Sequence, residues 1–303
     1  MVESPIAVGV IGLGTMGKPM SLNLLRAGFP LVVHNRTAGK ADEILAAGGR
    51  WGDSPLAVAQ QSEVVITMVT DSAAVQDVIL GQKGVAGGVR RGSVVVDMST
   101  ISPRSAQEIA ARLAEQGVLF LDAPVSGGFA GAVQGTLSIL VGGDESAANR
   151  VLPVLQAMGR NITYMGPSGS GQVTKLVNQI LVAVNQSGVA EALVFAAKAG
   201  ADPGKIIEAV KGGGASSFQL ENQGPRMVAG NLAPGFMVKH MLKDLHLILE
   251  MAEDICMPLP LTTLVSQLYR SLAADGKAES GTQAIVTVLE RLGGQEVAHP
   301  RQQ

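Results

Sequence analysis

Runs of consecutive apolar residues alternate with helical periodicity through the first half of the chain. The runs at 6–11, 31–34, 64–68, 94–97, 118–121 and 137–141 predict strands. The first reads Ile-Ala-Val-Gly-Val-Ile with no polar position, as a strand covered on both faces requires. Between these runs, apolar residues recur three and four apart over 16–27, 40–47, 55–61, 73–80 and 103–116, which predicts helices. A further helix at 146–158 leads to a short strand near 162–164. Such β–α alternation predicts a doubly wound α/β domain built on a parallel sheet.

The pattern changes near residue 166. The segment Gly166-Pro167-Ser168-Gly169-Ser170-Gly171 predicts a hinge-like loop. Helical periodicity then runs over 172–199, with apolar residues around much of the circumference, which predicts a long buried interdomain helix. Further helices are predicted at 203–211, 237–255, 261–275 and 283–292, with no strand. The organisation expected is an α/β domain over 1–165, an all-α domain over 166–297 and a frayed tail over 298–303.

Composition narrows the function. Glycine contributes 38 of 303 residues, well above the usual ~7 %, without the three-residue period of collagen. A net charge of −2 provides no basic field for nucleic acid. Cys256 is the sole cysteine, so an intramolecular disulfide framework and a multi-cysteine zinc site are excluded, in keeping with a reducing cytoplasm. The histidines His34, His240, His246 and His299 are scattered, and no metal site is expected. The most apolar stretch, 176–190, carries Asn178, Gln179, Asn185 and Gln186, so no membrane span is expected.

Candidate chemistry begins at Gly12-Leu13-Gly14-Thr15-Met16-Gly17. It follows the first strand and opens a helix, the context in which Gly-x-Gly-x-x-Gly signals dinucleotide binding. The first glycine allows a tight turn, the second allows close approach of a pyrophosphate, and the third allows helix and strand to pack. That context predicts a Rossmann-type NAD(P)-binding domain for this half. After the second strand comes Asn35-Arg36-Thr37, where an NAD enzyme would place a carboxylate against the ribose 2′-hydroxyl. Asn35 removes that repulsion, and Arg36 and Thr37 offer a cation and a hydroxyl to a 2′-phosphate, so NADP is expected, with NAD possible. Farther on, Gly127 and Gly128 follow Ser126 and let backbone N–H groups converge on an anion. Lys175, Asn178 and Gln179 share one helix face, and Gln172 and Gln186 extend its polar stripe.

These motifs resemble the 3-hydroxyacid (β-hydroxyacid) dehydrogenases, the group of 3-hydroxyisobutyrate dehydrogenase, tartronate semialdehyde reductase and the glyoxylate/succinic semialdehyde reductases. The resemblance runs from Ile6 to about Gly293. It rests on the extended glycine motif through Lys18-Pro19-Met20 and Asn23-Leu24, on Asp122-Ala123-Pro124-Val125-Ser126-Gly127-Gly128 with Gly135-Thr136-Leu137, on Gly169 to Gln179, and on Gly235-Phe236-Met237-Val238-Lys239-His240-Met241-Leu242-Lys243-Asp244. It implies that Lys175 is the acid/base, its pKa lowered from ~10.4 by burial and a nearby cation. It implies that Ser126, Gly127 and Gly128 hold the substrate carboxylate, that Phe236 closes the substrate pocket and that Asp244 lies in the cleft. It places Val69, Thr70 and Thr100 at the nicotinamide ribose and Lys243 at the nicotinamide end.

The expected activity interconverts a small 3-hydroxy acid and its semialdehyde by hydride transfer, in a homodimer or homotetramer. Many family members carry asparagine four residues after the lysine. Here Gln179 stands there and Asn178 precedes it, as in the tartronate semialdehyde reductases, so either amide could contact substrate. A 6-phosphogluconate dehydrogenase relative would carry histidine where Asn178 stands, and imine reductases commonly replace the lysine. A catalytically dead nucleotide-binding module is the non-enzyme alternative.

Overall fold

The computed structural model describes residues 6–297; the tail expected over 298–303 lies outside the described residues. The chain divides into two compact units, the first running to Lys175 and the second beginning at Leu176.

The first unit is a nine-stranded sheet flanked by helices. Its strands are β1 (Val8–Ile11), β2 (Leu31–His34), β3 (Arg50–Trp51), β4 (Val64–Thr67), β5 (Val94–Asp97), β6 (Leu119–Asp122), β7 (Val125–Ser126), β8 (Leu137–Gly143) and β9 (Gly159–Gly166). Its helices are α1 (Gly17–Arg26), α2 (Asp42–Ala46), α3 (Pro55–Ala59), α4 (Ser72–Leu80), α5 (Pro103–Ala114), α6 (Gly128–Gln134) and α7 (Glu145–Gln156). The order is β3-β2-β1-β4-β5-β6-β8-β7, with β9 against β8. Strands β1 to β6 are parallel, with Val8 opposite both Leu31 and Val64, and Val94 opposite both Val64 and Leu119.

Alternation along the strands builds two cores. Val8, Val10, Val64, Ile66, Val94 and Val96 feed one face, while Ile11, Val32, Val65 and Val95 feed the other. Helix starts are fixed locally. Ser54, Asp71, Ser102 and Asp144 each accept a hydrogen bond from a backbone N–H in the first turn of α3, α4, α5 and α7.

The sheet is mixed rather than wholly parallel. β8 runs antiparallel to β6 and β7, and α6 makes the short return from β7 to β8. Three of this unit's strands and helices had no sequence forecast, and neither had the one-turn helix Gly224–Val228 farther on. β3 and β7 have two residues each, too few to show a period, and α6 carries Gly128 and Gly131, which weaken a helix.

The second unit is helical: α8 (Ser170–Lys198, whose first turns belong to the first unit), α9 (Pro203–Val210), α10 (Gly224–Val228), α11 (Val238–Asp254), α12 (Pro260–Ala274) and α13 (Val286–Gly293). Among the described residues no strand follows Gly166, and one isolated antiparallel bridge joins Met237 to Gly281. The core gathers Ala183, Ala190, Leu193, Met241, Leu245, Tyr269 and Leu272. The expected hinge loop is shorter than its glycines suggested, since Gly166 ends β9 and Ser170 already starts α8. By length and hydropathy alone α8 could cross a bilayer. Its Ala183, Ala190 and Leu193 pack into the core of the second unit, whereas Val177, Leu181 and Phe195 are exposed, so the helix is only partly buried.

Candidate active site

The residues forecast for the nucleotide lie where parallel strands end. The loop Gly12–Met16 joins β1 to α1. Gly12 has φ +101°, and a Cβ there would collide with the Met68 carbonyl oxygen. A Cβ on Gly17 would collide with the Gly12 carbonyl oxygen. Gly14 is different: a Cβ would meet nothing within 4 Å. The space over Gly14 is open, and no side chain caps the first turn of α1. Open space beside backbone N–H groups fits a pyrophosphate, as a dinucleotide-binding loop requires. Leu13 N–H donates to Asn35 Oδ1 at 2.9 Å, and Asn35 Nδ2 donates to the Thr37 carbonyl at 2.9 Å. Asn35 thus ties the segment after β2 to the glycine loop, with Arg36 and Thr37 exposed beside it.

Val69 and Thr70 follow β4, and Thr100 follows β5. The two loops are bonded to each other. Val69 N–H donates to Ser99 Oγ at 2.9 Å; Ser99 N–H and Thr67 Oγ1 donate to Asp97 Oδ1 at 3.3 and 2.7 Å. Asp97 is fully buried, and loss of solvation pushes its carboxyl up to about 6 against the opposing hydrogen bonds from Ser99 and Thr67.

Lys175 lies in the second turn of α8 and is 7 % exposed. Its Nζ donates to the Val125 carbonyl at 2.7 Å, one residue before Ser126. Ser126 ends β7, and Gly127 and Gly128 follow with φ of +127° and +61°, so both require glycine. The first unit therefore brings Lys175 beside the Ser126-Gly127-Gly128 turn.

The start of α8 is held by the buried Asp122, which accepts from Gly169 N–H at 2.8 Å and Gln172 N–H at 2.9 Å. Burial raises the Asp122 carboxyl above the usual range, opposed by these backbone bonds. Asp97 and Asp122 face each other in register on neighbouring strands. Neither was forecast as a site residue. Asp122 stood inside a quoted motif, but its partners at 169 and 172 are distant in sequence.

In the second unit, Gln179 Nε2 donates to Asp244 Oδ2 at 2.6 Å, and Asn178 Nδ2 donates to Gln179 Oε1 at 2.8 Å. Lys243 Nζ lies 3.0 Å from Asp244 Oδ1. Gln179 and Asp244 are buried, while Asn178 and Lys243 are half-buried. Asp244 thus serves Gln179 and Lys243 together instead of facing water. Phe236 is half-buried, its ring 6.0 Å from that of His240. Burial, reinforced by Lys239, lowers the His240 pKa. Among the described residues no cluster of His, Cys, Asp or Glu could hold a metal ion.

The chain is similar to known proteins over most of its length. Residues 7–166 match the family described as the NAD binding domain of 6-phosphogluconate dehydrogenase. Residues 169–289 match that described as the NAD-binding domain of NADP-dependent 3-hydroxyisobutyrate dehydrogenase. The 2-hydroxy-3-oxopropionate reductase of Escherichia coli is 43 % identical over 96 % of this chain and 99 % of its own. The structure of Mycobacterium tuberculosis 3-hydroxyisobutyrate dehydrogenase with L-serine superposes with a TM-score of 0.87 at 33 % identity, over 94 % of this chain and 99 % of that one. That of Psf3 with NADP+ and 2-OPP gives 0.86 at 28 % identity, over 93 % and 100 %. A chain that aligns with one hydroxyacid reductase over nearly the full length of both, and shares its fold with a hydroxyacid dehydrogenase, belongs to the 3-hydroxyacid dehydrogenase family of NAD(P)-dependent oxidoreductases.

Proposed function

We propose that the protein reduces a small semialdehyde to its 3-hydroxy acid, or runs the reverse, with NADP(H) as preferred cofactor and Lys175 as acid/base. The observation that carries this reading is the buried Lys175 ammonium at 2.7 Å from the Val125 carbonyl, beside Ser126. In the reducing direction Lys175 Nζ donates a proton to the carbonyl oxygen of the substrate as it becomes a hydroxyl. In the oxidising direction the neutral amine accepts that proton. The Ser126 hydroxyl and the N–H groups of Gly127 and Gly128 hold the substrate carboxylate, fixing the reacting carbon near Lys175. A nicotinamide dinucleotide, with its pyrophosphate held by the glycine loop, would supply or accept the hydride.

In the second unit, Asn178 or Gln179 orients the substrate hydroxyl; the two amides bond to each other, and Gln179 is also held by Asp244. Lys243 serves the nicotinamide end, and Phe236 closes the pocket. NADP preference rests on Asn35 in place of a carboxylate and on the exposed Arg36. A homodimer or homotetramer is supported by the exposed Val177, Leu181 and Phe195 along α8. The substrate belongs to the tartronate semialdehyde or 3-hydroxyisobutyrate class, or to the succinic semialdehyde or glyoxylate class, whose products are a 4-hydroxy and a 2-hydroxy acid.

The test is NADPH oxidation with tartronate semialdehyde, succinic semialdehyde and glyoxylate, by the native enzyme and by Lys175→Met. Turnover on at least one aldehyde, lost by at least ~100-fold in the variant with cofactor binding intact, is the expected result. Near-normal turnover by the variant would exclude Lys175 as the acid/base.

A further inference from the structure

Gln172 is fully buried one turn before Lys175 on α8, and its side chain bonds only to backbone. Its Oε1 accepts from Ile101 N–H at 3.1 Å, and its Nε2 donates to the Ser99 carbonyl at 2.8 Å. Those two bonds bracket Thr100. The Ser99 side chain accepts from Val69 N–H, and Ser99 N–H bonds to Asp97, which also accepts from Thr67. One amide therefore joins the Lys175 helix to the Ser99–Ile101 loop, which Ser99 Oγ in turn ties to Val69.

A second anchor fixes the same turn from the other side. Asp122 accepts from Gly169 N–H and Gln172 N–H, and a Cβ on Gly171 would collide with the carbonyl oxygens of Asp122 and Leu140. Backbone on backbone leaves no slack there, so the first turn of α8 has one seating on the sheet. Lys175 follows Gln172 by three residues, a rise of ~4.5 Å, and lies on nearly the same helix face.

We infer that Gln172 is a positioning residue for hydride transfer: it sets the spacing between Lys175 and the Ser99–Ile101 loop, and so between the acid/base and the cofactor's reactive end. The inference rests on the acid/base reading of Lys175. Gln172 touches neither substrate nor cofactor in this role. Its loss should therefore impair the chemical step while leaving binding almost unchanged, because a misplacement of about 1 Å can cost ~100-fold in rate.

Gln172→Met keeps the volume and removes both bonds. Gln172→Glu keeps the acceptor for Ile101 N–H but sets a carboxylate against the Ser99 carbonyl. Both are assayed beside Lys175→Met with whichever of tartronate semialdehyde, succinic semialdehyde and glyoxylate the native enzyme reduces fastest. For Gln172→Met, kcat should fall ~10–100-fold, with KM for the aldehyde and the NADPH dissociation constant within about threefold of native. Gln172→Glu should fall at least as far, because a buried carboxylate facing the Ser99 carbonyl beside Asp122 is repelled. With no cofactor present, amide exchange should speed up in peptides covering 99–101 and 170–175. If Gln172→Met keeps kcat within about twofold, or loses activity only in proportion to NADPH binding, the positioning role is overturned while an inactive Lys175→Met leaves the acid/base reading standing. An active Lys175→Met overturns both.

Discussion

Asp97 offers a quantitative test of the buried network beneath the proposed nicotinamide site. Its carboxyl is fully buried, accepts from Thr67 and Ser99 through Oδ1, and presents an Oδ2 that meets no hydrogen-bond partner among the described residues. Burial lifts its pKa from 3.8 to about 6. The sign follows from linkage: between these values the native state holds a proton that the unfolded chain has released, so stability falls as pH rises. The penalty is absent below the unfolded pKa and complete above about 6. A rise of about two pH units corresponds to ~3 kcal/mol.

Asp97→Asn removes the ionisation, keeps the Oδ1 acceptor and leaves an unpaired Nδ2 where Oδ2 stood, at a cost of ~1–3 kcal/mol. The variant should be less stable than native near pH 4, and as stable or up to ~2 kcal/mol more stable near pH 8. The difference between the two proteins should shift by ~3 kcal/mol across that interval whatever the cost of the orphaned amide. Urea unfolding followed by Trp51, the sole tryptophan and a residue of β3, reports on the first unit. A difference that stays constant from pH 4 to pH 8 would refute the reasoning.

Two further predictions concern specificity and helix termination. Arg36→Leu should weaken NADPH ~10–100-fold and leave NADH almost unchanged, measured as kcat/KM for each cofactor, since hydrogen bonds to a charged group are worth ~1.5–3 kcal/mol; equal loss on both cofactors would remove Arg36 from 2′-phosphate recognition. Cys256 sits at φ 53° just past α11, where Met257 N–H bonds to the Ala252 carbonyl and Cys256 N–H to the Glu253 carbonyl. That pairing is the Schellman cap that favours glycine. Cys256→Gly should therefore stabilise the fold by up to ~1 kcal/mol in urea unfolding, and a loss of stability would contradict the strain assigned to this residue.

Much of the molecule is written in local sequence. The uninterrupted apolar run of β1 dictated a strand covered on both faces, and the fingerprint from Gly12 to Gly17 needed only its place between strand and helix to read as a nucleotide loop. Helix starts were equally local, since Ser102 and Asp144 bond to N–H groups three residues ahead. Other features depend on contacts that no short window contains. The antiparallel return through α6 and β8 is set by strand pairing across the sheet, and the two-residue β7 exists only because β8 pairs with it. Sequence left the choice between Asn178 and Gln179 open, and the bond from Gln179 to Asp244, 65 positions away, is what engages the buried amide. Gln172 read as one more polar residue on a stripe until Ser99 and Ile101, more than seventy positions earlier, supplied its partners. Asp97 read as an ordinary strand end, and only burial could raise its pKa, because desolvation belongs to the packed environment and not to the residue. Sequence by itself determined the long strands and helices and where an anion could meet exposed backbone, since those follow from periodicity and glycine sterics. The tertiary structure alone decided which polar side chains are spent on holding the site, because their partners are brought near by folding.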